Sequence, residues 1–177
     1  MRASERIETD RLVLRRPVAA DADVIFARYS SDPEVTRFLS WPRHNVVEDS
    51  RAFIGFSDAE WERWPAGAYL IESRTGVLLG STGLSFETSQ RAATGYVLAR
   101  DAWGYGYATE ALHAIVALAA DLAVRRLYAL CHPEHERSGR VLQKCGFIRE
   151  GMLYGHAEFP NLHPGVLSDA LCYARIF

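Results

Sequence analysis

The apolar residues of this chain change period from two to about 3.6 across one short turn, Trp103-Gly104-Tyr105-Gly106-Tyr107-Ala108-Thr109-Glu110. Upstream, residues 68–72, 78–86 and 92–98 alternate as strands do. They are separated by Ser73-Arg74-Thr75-Gly76 and by the polar segment 87–91, which predicts an antiparallel meander. Downstream, Leu112, Ile115, Val116, Ala119 and Leu122 fall on one helical stripe, with Glu110, His113 and Asp121 largely on the other. A chain that passes from strand to amphipathic helix within a few residues must lay that helix back on its own sheet.

The flanking sequence extends this plan. Residues 11–15 alternate as a half-buried strand, and Asp21 opens a helix through Ile25, Phe26 and Tyr29. Asn45 with Glu48 three residues on announces a second helix carrying Phe53, Ile54, Trp61 and Trp64, stopped by Pro65 and Gly67. After the long helix come a strand at 127–131 and a short helix at 138–145 ended by Gly146. Two last strands, from Ile148 to about His156 and over 167–176, are joined through a loop at 161–165. Strands and helices in this order define an α+β domain.

No repeat, low-complexity tract or linker divides the 177 residues, so one domain over 1–177 is expected. The net charge of −2 offers no basic footprint for nucleic acid. The apolar run 114–124 is cut by Asp121 and too short to span a bilayer, and Met1-Arg2-Ala3-Ser4-Glu5 lacks an apolar signal core. The expectation is a cytoplasmic protein with neither membrane nor direct nucleic-acid partners. Cys131, Cys145 and Cys172 lack metal or disulfide spacing and read as reduced, mostly buried thiols. His132-Pro133-Glu134-His135 contains an H-x-x-H pair, but Pro133 resists the helix that would align the rings, so no metal is expected.

The glycine turn is where chemistry first shows. Glycines let a backbone approach a phosphate closely, and the first turn of a helix leaves amides unpaired at the positive end of its dipole. A P-loop would need Gly-Lys followed by Ser or Thr, and the dinucleotide fingerprint would need a glycine where Thr109 stands. Both are excluded. On spacing alone the turn reads equally well as an anion cradle or as a plain helix cap.

Taken with Glu8-Thr9-Asp10-Arg11-Leu12-Val13-Leu14-Arg15, with Gly95-Tyr96-Val97-Leu98 and with the segment ending Lys144-Cys145-Gly146-Phe147, the turn resembles the GNAT N-acetyltransferase superfamily, in its RimJ/RimL-like branch. The resemblance runs almost end to end. It implies a mixed, mostly antiparallel central sheet flanked by helices, and acetyl-CoA as cosubstrate. The family's pyrophosphate loop, Q/R-x-x-G-x-G/A, falls on Trp103, Gly106 and Ala108, with Gly104, Tyr105, Tyr107 and Thr109 alongside. Trp103 departs from the Gln/Arg form, which matters little where backbone amides make the grip. The pantetheine arm is expected along Tyr96, Val97 and Leu98, where the sheet splays, with a backbone amide of that strand holding the oxyanion.

The resemblance also places the reacting groups. Ser138 aligns with the serine of the family's N-x-x-S element and is expected to protonate the departing thiolate; its other reading is N-cap of the short helix. Leu142 stands where many relatives carry a tyrosine acid, and His135 replaces the asparagine, a donor toward pantetheine or substrate. The glutamate that often precedes Gly-Tyr is replaced around Ala93-Thr94. Glu158 is the expected base, with Glu87 and His156 behind it and an exposed loop carboxylate as the competing reading. Trp61 and Trp64 read as core, Trp41-Pro42 as a substrate wall, and Asp169 as an acid that orders backbone. The expected acceptor is a primary amine, first a peptide or protein N-terminal α-amine. A small amine or antibiotic, or a CoA-binding module without turnover, is the alternative. A homodimer is an allowed assembly.

Overall fold

The structure is a computed structural model and describes residues 2–177. Eight strands share one sheet: β1 (Arg6–Glu8), β2 (Leu12–Arg15), β3 (Ala68–Ser73), β4 (Leu78–Thr88), β5 (Arg91–Leu98), β6 (Arg126–Cys131), β7 (Ile148–Glu158) and β8 (Leu167–Ile176). Their order is β1-β2-β3-β4-β5-β6-β8-β7, with β5–β6 the parallel pair. The helices are α1 (Ala22–Ile25), α2 (Pro33–Thr36), α3 (Val47–Arg63), α4 (Tyr107–Asp121) and α5 (Glu136–Lys144). The expected mixed, mostly antiparallel sheet is present, and so is the meander β3-β4-β5.

Two cores cover the sheet. On one, Leu112, Ile115 and Ala119 of α4 and Leu142 of α5 pack with Leu12, Leu14, Ile71 and Leu127. On the other, Ala22, Ile25, Tyr29 and Ile54 pack with Leu70, Leu78 and Val97. With helices on both sides, Leu12, Val13 and Leu14 are all buried, so β2 is not the half-buried strand that its alternation suggested. The three cysteines are buried and unbridged.

Local differences have local causes. The helix expected from Asp21 to Tyr29 is a single α turn followed by a wide π turn, Phe26–Ser30. The hydroxyls of Ser30 and Ser31 donate to the carbonyls five residues back, Ile25 at 3.2 Å and Phe26 at 2.6 Å, which fixes the wide pitch. Asp49 rather than Glu48 caps α3, its Oδ2 accepting from the N–H groups of Asn45 (2.8 Å) and Val46 (3.2 Å). Glu48 pairs instead with Arg51. The polar segment 87–91 is mostly strand: only Ser89-Gln90 turn, and Thr88 Oγ1 accepts from the amides of Gln90 and Arg91. Strand β7 runs on to Glu158, and Asp169 Oδ1 accepts from Gly155 N–H at 2.9 Å, ordering the irregular stretch of β7.

Candidate active site

Strands β5 and β6 pair only through Arg91, Ala92 and Ala93 with Arg126, Leu127 and Tyr128. Beyond that point β5 stays bonded to β4 as far as Leu98, and β6 to β8 as far as Cys131, but not to each other. The sheet therefore opens into a wedge. Ala99 N–H donates to Leu79 C=O at 2.7 Å, which sets the alternation of the antiparallel ladder. By that alternation Tyr96 and Leu98 turn their peptide groups away from β4, into the wedge. Trp103 Nε1 donates to the Leu98 carbonyl at 2.9 Å, so the side chain at the departing family position is an anchor for the strand end.

At the foot of β5 the turn is held open by two left-handed glycines, Gly104 at φ 85° and Gly106 at φ 80°. Gly106 is the N-cap of α4 and supplies no side chain, so the amides of Tyr107, Ala108 and Thr109 lead the helix uncapped. The first family-like segment folds over this turn. Glu110 Oε1 accepts from Thr9 Oγ1 (2.6 Å) and Arg11 N–H (2.8 Å), Oε2 accepts from Arg11 Nε (2.7 Å), and Arg11 Nη1 donates to Tyr105 C=O at 2.8 Å. Arg11 also lies over the Tyr107 ring, which stacks with Tyr105. Burial alone would raise the Glu110 carboxyl; the bonds from Thr9 and Arg11 together hold it below its ordinary value. Sequence reasoning placed Glu110 on the solvent side of the helix and missed this clamp.

Across the wedge, Tyr96 Oη lies 2.9 Å from both the carbonyl oxygen and Oγ of Ser138. Burial pushes the Tyr96 phenol up, so it stays protonated as a donor. Ser138 is the third residue of α5, whose N-cap is His135, so the N-cap reading of Ser138 is corrected. The helix starts two residues earlier than the spacing suggested. The Tyr96 hydroxyl carried no sequence signal beyond its place in the pantetheine strand.

The mouth of the wedge is roofed. Phe38 stacks on His135 at 4.8 Å and on His132 at 5.0 Å, and His132 meets Phe159 edge-on at 4.8 Å. Burial pushes both imidazoles down, so they are neutral near pH 7. Among the described residues no group of three or more His, Cys, Asp or Glu is placed to hold a metal. Asn161 ties the roof together, donating through Nδ2 to Thr36 C=O (2.8 Å) and Trp41 C=O (2.9 Å) and accepting from Arg43 N–H at 2.7 Å. It was legible in the sequence only as a loop residue.

The candidate bases part company. Glu158 is exposed at the end of β7, one residue before the Phe159 that meets His132, with Oε1 accepting from Gly165 N–H at 2.8 Å. Glu87 lies at the paired end of β5 and β6, where it binds Tyr128 and Arg91, so it is no part of the open site. His156 is exposed on β7. Trp61 is 1% exposed and donates to Ala68 C=O, so it is core, and the half-buried Trp64 packs against that core by stacking on Phe86. Trp41 instead lines a cavity of about 530 Å³ on the α1–α3 side of the sheet.

A split sheet that leads down one strand edge to an uncapped helix N-terminus defines a protein built to bind an extended ligand with an anionic group at one end. The sequence matches the acetyltransferase (GNAT) domain family over residues 11–148. YoaA of Bacillus subtilis (strain 168), an uncharacterized N-acetyltransferase, is 33% identical over 151 residues, covering 83% of this chain and 85% of that protein. RimL, the ribosomal L7/L12 alpha-N-protein acetyltransferase solved with coenzyme A, superposes with a TM-score of 0.86 at 22% identity, over 98% of each chain. The microcin C7 self-immunity acetyltransferase MccE, solved with acetyl-CoA and AMP, gives 0.85 at 21% identity over 96% of this chain and 94% of that one. The chain belongs to the GNAT family of N-acetyltransferases. No helix among the described residues is long and apolar enough to cross a membrane.

Proposed function

We propose that this N-acetyltransferase moves acetyl from acetyl-CoA to a peptide or protein N-terminal α-amine, in the cytoplasm, by direct attack in a ternary complex. The observation that carries the reading is the wedge, with an unpaired strand edge on β5 and the Tyr96–Ser138 hydroxyl pair across it. The site fits acetyl-CoA. The amides of Tyr107, Ala108 and Thr109 would hold its pyrophosphate, and the wedge-facing peptide groups of Tyr96 with the Leu98 N–H would pair with its pantetheine arm, the Leu98 carbonyl being held by Trp103. When bound, acetyl-CoA supplies an activated acyl group on a thiol leaving group. Ser138 Oγ is the proton donor for the departing sulfur, and Tyr96 Oη holds that hydroxyl in place. His135 acts through its place under Phe38, shaping the mouth of the wedge.

The choice of acceptor rests on acidity. An α-amine, with a reference pKa of about 7.7–8.0, has an appreciable neutral fraction at pH 7, while a lysine amine at about 10.4 does not. RimL, a neighbour in fold, is by name an alpha-N-protein acetyltransferase, which accords with this choice. In a thiol-release assay with mass-spectrometric siting, peptides with free Ala or Ser N-termini should outrun Nα-blocked lysine peptides, polyamines and aminoglycosides. Acetyl found only on side-chain or small-molecule amines would overturn the reading. Tight acetyl-CoA binding without thiol release on any acceptor would make the protein a binding module.

Glu158 is proposed as the base, since its Oε2 is free of the Gly165 contact. Glu158→Gln should lower kcat/KM about 10-fold at pH 7, with the deficit closing above about pH 8 as the α-amine deprotonates unaided. A deficit equal at every pH would assign Glu158 to the loop alone.

A further inference from the structure

The turn that leads into α4 places three aromatic side chains in five residues, Trp103, Tyr105 and Tyr107. Two are committed to the fold. Trp103 is half-buried and bound through Nε1 to the Leu98 carbonyl, and the Tyr107 ring packs against the sheet core with the Arg11 guanidinium over it at 4.8 Å. The third is not: Tyr105, the last side chain before the Gly106 N-cap, is 62% exposed.

An exposed aromatic is by itself ordinary, because folded proteins keep much apolar surface in water. Tyr105 differs from the other exposed rings, Phe56 and Tyr154, in being held. Its ring stacks on Tyr107 with centroids 5.8 Å apart and planes 27° apart, whereas Phe56 and Tyr154 stack on no ring among the described residues. Its backbone is held too, between Gly104 and Gly106 in left-handed geometry, and its carbonyl accepts from Arg11 Nη1 at 2.8 Å. A ring that is fixed yet uncovered is preorganised for a second flat group, since little freedom remains to be lost when that group arrives. The charge beside it narrows the class. Arg11 Nε and Nη1 are bound to Glu110 and Tyr105, but Nη2 makes no hydrogen bond among the described residues, and the uncapped amides of α4 add the positive end of its dipole. A flat group that brings phosphates with it fits both. In acetyl-CoA the adenine hangs from the same pyrophosphate as the pantetheine arm, through a ribose that carries a further phosphate.

We propose that Tyr105 is the adenine platform of the site, its open ring face stacking with the base while the first turn of α4 holds the pyrophosphate. The proposal rests on the cradle at Tyr107, Ala108 and Thr109 and adds to it a contact that reads the nucleotide end of the cosubstrate alone. Calorimetry with two probes tests it: acetyl-CoA, and acetyl-4′-phosphopantetheine, which keeps the acyl arm and one phosphate but has no adenosine.

Tyr105→Ala should weaken acetyl-CoA binding about 10-fold, the size expected when one base loses an aromatic ring, and leave acetyl-4′-phosphopantetheine binding unchanged. Tyr105→Phe and Tyr105→Trp keep a flat ring and should bind acetyl-CoA as the wild type does. Adenosine 3′,5′-bisphosphate alone should compete with acetyl-CoA, and more weakly in Tyr105→Ala. Because the side chain is exposed, the variants should keep the wild-type melting temperature. Equal weakening of both probes in Tyr105→Ala would show that the ring only braces the turn, and no weakening of either would leave it a bystander; each result overturns the platform. So does a wild-type protein that binds acetyl-CoA no better than acetyl-4′-phosphopantetheine. A wild-type protein that binds neither probe would sink the cradle itself, a failure the other outcomes do not produce.

Discussion

Gly106→Asp should weaken acetyl-CoA binding about 100-fold or more, measured by calorimetry, in a protein that still folds. Gly106 is the uncapped N-cap of α4, and the three amides beyond it are the proposed pyrophosphate grip. A carboxylate about 6 Å from a phosphate held by those amides would repel it, at an effective dielectric near 20, by about 3 kcal/mol, or roughly 100-fold in affinity. The fold should tolerate the change, because a Cβ at Gly106 meets only Arg11 Nη2, at 3.6 Å. The left-handed backbone, φ 80°, adds strain of about 1 kcal/mol for an Asp, a residue that visits this region more readily than most. Gly106→Asn carries the same backbone strain without the charge and should keep most of the affinity. Equal losses in the two variants would assign the effect to bulk and strain. No loss in either would make the turn a plain helix cap.

The parts of the fold that were legible in the sequence are those whose burial pattern is one-sided and long. Helix α4 fits that description; the meander was legible from its length and its turn residues, although β3 buries Tyr69, Leu70 and Ile71 on both faces. Strand β2 does not fit it: Leu12, Val13 and Leu14 are buried on both faces, so its alternation promised more solvent than it has. The three-residue β1 and the four-residue α2 are too short to show a period, although Asp32, which caps α2 at 2.8 Å from Glu34 N–H, carries a local signal.

The site divided in the same way. The glycine turn and the strand beside it are contiguous, and motif reading finds contiguous features. The Arg11–Glu110 clamp, the Asn161 tie across the roof and the Tyr96–Ser138 pair join residues far apart in sequence, and only packing brings them together. Tyr29 was legible as one residue of the helix opened by Asp21. The π turn that carries it was announced only through adjacent Ser30 and Ser31.

Ser138→Ala should lower kcat about 100-fold with little change in KM for acetyl-CoA, the size expected when a positioned proton donor is lost. With His135 as the N-cap of α5, the substitution removes no cap, so a loss of turnover cannot be laid to an unravelled helix. Stability should fall by about 1 kcal/mol at most, for the Tyr96–Ser138 hydrogen bond. Ser138→Thr keeps a hydroxyl at the same position and should recover part of the rate. Tyr96→Phe leaves the Ser138 hydroxyl present but unheld, and its effect should be about 10-fold, smaller than that of removing the donor. If Tyr96 acts only by positioning Ser138, the double variant should be no slower than Ser138→Ala alone, because the two side chains work as one unit. Additive losses would make Tyr96 a second, independent donor. A Ser138→Ala enzyme within a few-fold of wild type would move the proton donor to Tyr96 or to water.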